Sequence, residues 1–76
     1  VFYKRGIAKT KLEDYKGAIT DYTESIMLDS TYTYGYSERG IAREIMEDFE
    51  GACEDWRKAA SMGHYASAQW VKDSCN

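Results

Sequence analysis

Residues 2–29, FYKRGIAKTKLEDYKGAITDYTESIMLD, lie over residues 36–63, YSERGIAREIMEDFEGACEDWRKAASMG, without a gap. The offset of 34 sets Arg5, Gly6, Ile7, Ala8, Glu13, Asp14, Gly17, Ala18 and Asp21 on Arg39, Gly40, Ile41, Ala42, Glu47, Asp48, Gly51, Ala52 and Asp55. A period of this length is one helix-turn-helix unit of a helical solenoid, whose units bury their apolar faces by stacking on one another. The spacing inside each copy agrees. Tyr15, Ala18, Ile19, Tyr22 and Ile26 recur at the i, i+3, i+4, i+7, i+11 positions of one helical face, and Phe49, Ala52, Cys53, Trp56 and Ala60 repeat the stripe. Asp14 and Asp48 precede these second helices, where a carboxylate accepts the unpaired N–H groups of the first turn.

Outward from this pair of blocks, the first helices are expected from about Phe2 to Lys11 and from about Tyr32 to Ile45, the latter opened by Ser30 or Thr31 as N-cap. Gly63 is placed to end the fourth helix in a left-handed conformation. Beyond it, HYASAQWVKDS reads as a short fifth helix, with Ala66 and Trp70 on one side and Lys72 and Asp73 on the other, covering the open end of the last repeat. The chain contains no proline and no linker-like stretch. It reads as one all-α domain over 1–76, an α-solenoid of two antiparallel hairpins, about 1–32 and 33–64, with a capping helix at about 65–75.

With 43% hydrophobic and 30% charged residues, the composition is that of an ordinary folded domain. A chain this short buries only about 60% of the surface it exposes when unfolded, so its stability margin is thin. The net charge of -3 and the lack of a basic face argue against nucleic acid as a partner. No run approaches the roughly 20 apolar residues that span a bilayer, and no basic amphipathic helix suits a membrane surface, so a soluble chain is expected. It starts at Val1 inside an expected helical turn, without an initiator Met, which suggests that the natural N-terminus is missing. Localisation stays open, with the cytoplasm slightly favoured.

Cys53 and Cys75 are too few for a disulfide framework and too far apart for a CxxC redox motif. Cys53 occupies the register position of Ile19 and reads as a small core residue, while Cys75 reads as a partly exposed tail thiol. A bridge between them is the lesser alternative. Cys53, His64 and Cys75 are evenly spaced by 11, but zinc wants four ligands at short spacing, so no metal site and no cofactor is expected. His64 stands at a helix boundary and lacks the partners of a Cys-His nucleophile pair, and no glycine loop suits a phosphate. No catalytic constellation emerges.

The two blocks resemble the tetratricopeptide repeat, carried by Phe2, Gly6, Tyr15, Ala18 and Tyr22 in the first copy and Tyr36, Gly40, Phe49, Ala52 and Trp56 in the second. The size matching behind the motif is that Gly6 and Ala18 let two helices approach, while Phe2 and Tyr22 fill the gaps where they diverge, and Ser25 and Ala59 extend the small-residue seam. Arg5 and Arg39 stand where the family has Leu, Lys9 and Arg43 where it has Tyr, and Ser30 and His64 where it has Pro. The stretch Ala59, Ala60, Met62, Gly63, His64, Ala68, Gln69 also resembles the related Sel1-like repeat, but the fixed spacing of 34 favours the tetratricopeptide reading.

The resemblance implies a concave groove lined by the first helices: Tyr3, Ile7, Thr10 and Lys11, then Tyr34, Ser37, Ile41, Glu44 and Ile45, with Thr31 and Tyr32 on the rim. Ile7 and Ile41, identical in both copies, are also explained as packing between neighbouring helices. Tyr3 and Ile7 replace the Lys and Asn of the family's carboxylate clamp, which argues against a C-terminal carboxylate ligand. Contacts from the tyrosines and Lys11 are expected instead. Of the TYTYGY run at 31–36, Tyr36 is assigned to the core as the counterpart of Phe2. Arg5 with Asp21 and Arg39 with Asp55, each 16 residues apart, are expected to form partly buried structural ion pairs across their hairpins. The function expected is a protein-binding scaffold without enzymatic activity, holding a protein or peptide segment in the groove. The alternatives are a docking or accessory domain of a larger enzyme, or a fragment that self-associates through its open N-terminal face.

Overall fold

The computed structural model describes residues 1–75. It contains five helices: α1 (Phe2–Lys11), α2 (Tyr15–Leu28), α3 (Thr33–Ile45), α4 (Phe49–Ser61) and α5 (Tyr65–Ser74), with no strand among the described residues. Packing follows chain order, α1 on α2, α2 on α3, α3 on α4 and α4 on α5. No helix is long and apolar enough to cross a membrane among the residues described.

Asp14 and Asp48 cap α2 and α4 by accepting the N–H groups of Gly17 and Gly51, each at 3.0 Å. The turns before them share a device that the sequence does not advertise. Glu13 and Glu47 adopt left-handed φ values of 62° and 66°, which lets Asp14 N–H reach the Lys9 carbonyl and Asp48 N–H the Arg43 carbonyl, both at 2.8 Å. These six-residue closures satisfy carbonyls that a helix end otherwise leaves unpaired. The α4–α5 turn closes likewise, with Gly63 at φ 97° and His64 N–H on the Ala59 carbonyl at 3.0 Å. His64 then takes the capping place held elsewhere by aspartate.

The core is built on close approach of helices. A Cβ at Gly6 would come within 2.6 Å of the Tyr22 ring, and one at Gly40 within 2.5 Å of Trp56 Nε1, so each glycine admits the aromatic residue of its partner helix. Ala18, Tyr22, Ala52, Trp56 and Ala59 are buried around these contacts. Tyr22 Oη meets Thr10 Oγ1 at 3.1 Å, and Thr10 donates its own proton to the Gly6 carbonyl, so the Tyr22 hydroxyl is the donor of that pair. Trp56, at the same register position, buries its indole Nε1 without a partner among the described residues.

Several expectations are corrected. Cys53 and Cys75 form a disulfide, Cα atoms 5.7 Å apart, so neither is a free thiol. The reason is the hairpin: the α4–α5 turn folds the chain back at Gly63, bringing a residue ten before it against one twelve after it. The helix α3 starts at Thr33, not Tyr32, and its N-cap Tyr32 makes no side-chain capping bond. Neither Ser30 nor Thr31 caps it; Asp29 takes Thr31 instead, its Oδ1 accepting from the Thr31 N–H at 3.0 Å and hydroxyl at 2.6 Å. Tyr36 is only half-buried, its ring under the Arg39 guanidinium at 5.8 Å, as Phe2 lies under Arg5 at 5.0 Å. Phe49, the first residue of α4, is exposed rather than part of the buried stripe.

Candidate binding face

Two bidentate ion pairs fix the helices that carry this face. Arg5 donates from Nε to Asp21 Oδ2 at 3.0 Å and from Nη2 to Oδ1 at 2.9 Å, and Lys9 Nζ adds a contact at 3.1 Å. Arg39 repeats the fork on Asp55 at 2.9 and 2.7 Å, joined by Arg43 Nη1 at 3.0 Å. The equivalence stops at exposure. The Arg5 side chain is 54% exposed and that of Arg39 15%, because Arg39 lies between hairpins and also donates to Thr23 Oγ1 on α2 at 3.2 Å. Hydrogen bonds from Arg5 hold the Asp21 carboxyl below the usual carboxylate range, against the opposing effect of its burial.

With α1 and α3 so anchored, their aromatic side chains meet in a line. Tyr3 sets its ring edge-on to Tyr32 at 5.1 Å between centroids, Tyr32 meets Tyr34 at 6.2 Å, and Tyr34 meets His64 at 5.7 Å. The line enters the core at both ends. Tyr3 lies 5.9 Å from buried Tyr22, and His64 reaches buried Trp56 through Trp70, at 6.1 and 5.4 Å. Edge-to-face contacts of this kind are attractive beyond the area they bury, so the rings hold one another in place. Between the buried ends, Tyr34 presents 53% of its surface to solvent.

Charge enters the line through Glu38, one helical turn beyond Tyr34 on α3. Burial pushes its carboxyl above the ordinary carboxylate value, and His64 offsets this only in part. The Tyr3 hydroxyl is pushed up to about 12, first by burial and then by the Glu38 charge. His64 Nδ1 accepts from the Ser67 N–H at 3.2 Å and lies 2.7 Å from the Ser67 hydroxyl. A backbone N–H only donates, so the ring proton of neutral His64 sits on Nε2.

The residues expected to line a groove fall into separate groups. Tyr3, Tyr32 and Tyr34 come together, with Tyr32 between the other two rather than on a rim. Ile7 and Ile41 are half-buried. Ser37 is buried, its hydroxyl donating to the Tyr34 carbonyl at 3.2 Å, so it offers nothing to a partner. Thr10 is tied to Gly6 and Tyr22. Lys11, Glu44 and Ile45 are exposed at the far ends of α1 and α3, and exposed Thr31 is engaged by Asp29. The sequence reading missed Glu38, His64 and Trp70 as members of the face. For Glu38 a signal existed: the register position holds Lys4 in the first block, a reversal of charge in an otherwise matched stretch.

At the start of α1 a cavity of about 270 Å³ opens between Phe2, Tyr3 and Lys4 and the end of α2 at Ser25 and Leu28. No protein-family model matches this chain and no curated protein matches it.

Proposed function

We propose that this chain is a protein-interaction module of tetratricopeptide type, holding a segment of a partner protein against the α1/α3 face. The carrying observation is the line of rings from Tyr3 through Tyr32 and Tyr34 to His64, rigid at both ends and open to solvent at Tyr34. Such a surface offers apolar area at small entropic cost, since the rings are ordered before a ligand arrives. The solenoid arrangement is supported by packing in chain order and by the recurrence, 34 residues apart, of the ion pairs, the aspartate caps and the left-handed turn residues. The Cys53–Cys75 bridge favours an oxidising compartment for the module.

The test is selection of peptides from a random library on the folded chain, followed by affinity measurement on Tyr34→Ala. Selected peptides are expected to bind the variant at least about tenfold more weakly, the factor of roughly 1.4 kcal/mol lost with one aromatic contact. Undiminished binding by Tyr34→Ala, with an unchanged unfolding midpoint, refutes the assignment of the face.

A further inference from the structure

Of the thirteen acidic side chains, ten are exposed, and two, Asp21 and Asp55, are buried in ion pairs. Glu38 is the thirteenth. It is half-buried, yet its carboxylate takes part in none of the hydrogen bonds and none of the ion pairs among the described residues. The cations of the neighbouring helix are placed otherwise: Arg5 and Lys9 hold Asp21, Lys4 borders the cavity at the start of α1, and Lys11 lies exposed at its end. Covering part of a carboxylate's surface without a hydrogen bond or ion pair costs free energy, and burial raises the Glu38 carboxyl above its ordinary value, offset only in part by His64. Groups perturbed in this way cluster at functional sites, which marks Glu38 as a candidate for contact with a ligand.

What surrounds the carboxylate narrows the partner. Glu38 stands one turn after Tyr34 on the same face of α3, where residues four apart are neighbours, and its charge acts on the Tyr3 hydroxyl and meets that of His64, two other members of the line of rings. Tyr34 leads to His64 on one side and through Tyr32 to Tyr3 on the other. Aromatic faces attract cations electrostatically and accommodate the methylene stem behind a charged head. An anion is repelled by the carboxylate. A neutral apolar group would leave it unpaired in a drier site than before.

Resting on the reading of this face as a peptide-binding surface, we infer that Glu38 and Tyr34 form a subsite for a lysine or arginine side chain of the partner segment. The subsite belongs to the second hairpin alone, since the first carries Lys4 at the equivalent position.

The test uses Nα-acetyl-lysine methylamide, its arginine counterpart and the norleucine compound, an apolar near-isostere of lysine. Each is titrated into the ¹⁵N-labelled chain. At least one basic compound is expected to shift the amides of Tyr34, Glu38 and His64 and to bind about tenfold more tightly than norleucine, as a charge-assisted contact gives. Glu38→Gln is expected to lose that preference while its urea midpoint at neutral pH stays the same or rises. A structural role for the carboxylate would lower the midpoint instead. Equal binding of basic and apolar compounds at the same amides overturns the cation subsite and leaves the peptide face standing. Shifts confined to other surfaces, or none, overturn the subsite and count against the face as well. A Glu38→Gln chain that keeps the preference overturns the role of Glu38, and the preference measured on the unmodified chain decides the matter if the variant folds poorly.

Discussion

Replacing Asp55 by alanine should cost this chain about 3 kcal/mol, the lower end of what removing one partner of a buried ion pair costs. Three donors converge on the carboxylate: Arg39 Nε at 2.9 Å, Arg39 Nη2 at 2.7 Å and Arg43 Nη1 at 3.0 Å. Without it, two guanidinium groups face each other with side chains only 15% and 25% exposed, so water cannot fully replace the lost acceptor. The lower end applies because neither arginine is wholly buried. Against a total stability of roughly 4 to 11 kcal/mol for 76 residues, this is a large share. Asp21→Ala supplies the control: it removes an equivalent fork, but Arg5 is 54% exposed and recovers its hydration. Asp55→Asn keeps the volume and one acceptor oxygen and should fall between. The assay is urea unfolding followed by circular dichroism, with equal slopes required before midpoints are compared. If Asp55→Ala unfolds no more readily than Asp21→Ala, the argument that arginine exposure sets the cost is wrong.

Replacing Cys53 and Cys75 by serine should lower stability by about 3 kcal/mol, from the unfolded-chain entropy of opening a loop of 22-residue separation. Trp70 packs 5.4 Å from Trp56, so loosening of α5 is readable as a change in tryptophan fluorescence, and an unchanged emission spectrum and midpoint would count against the bridge. Gly40→Ala places a Cβ within 2.5 Å of Trp56 Nε1 and 3.2 Å of the Ala52 carbonyl oxygen, and forced separation of α3 from α4 should cost about 2 kcal/mol in the same urea assay. The pH response of two carboxylates runs in opposite directions. Asp21, held low by Arg5, contributes stability that is present above its unfolded value near about 4 and is lost as pH falls through the lower folded value. Glu38, pushed up by burial, contributes stability present below the unfolded glutamate value of about 4.3 and lost as pH rises through the higher folded value. Glu38→Gln should therefore gain on the parent chain as pH is raised from 3 to 7, and a gap that does not widen refutes the shielding of this carboxylate.

The repeat of 34 residues set the helices almost to the residue because helix signals are local. The period of apolar positions, an aspartate ahead of each second helix and a glycine opposite each large aromatic all lie within reach of one turn or one hairpin. Where local signals competed, the reading slipped: Asp29 took Thr31 into its own turn, and α3 began at Thr33. The matched arginines and aspartates were legible from spacing. Their unequal exposure was not, since it depends on whether another hairpin lies alongside, as α2 does for Arg39 through Thr23.

The face itself divides along the same line. Tyr3 and Tyr34 were placed on the face from the sequence by the register that the repeat resemblance implies. His64 and Trp70 belong to the hairpin that α5 makes with α4, and only its folding sets His64 against the ring of Tyr34 with Trp70 behind it. The same fold-back joined Cys53 to Cys75 across a separation that carries no local signal. Sequence by itself determined the helices and the register of their small and large residues, because those are properties of a chain with its near neighbours. Only the packed chain reveals which thiols meet, which arginine is covered and which carboxylate is half-buried, because burial and pairing are properties of surfaces that exist only after the helices pack.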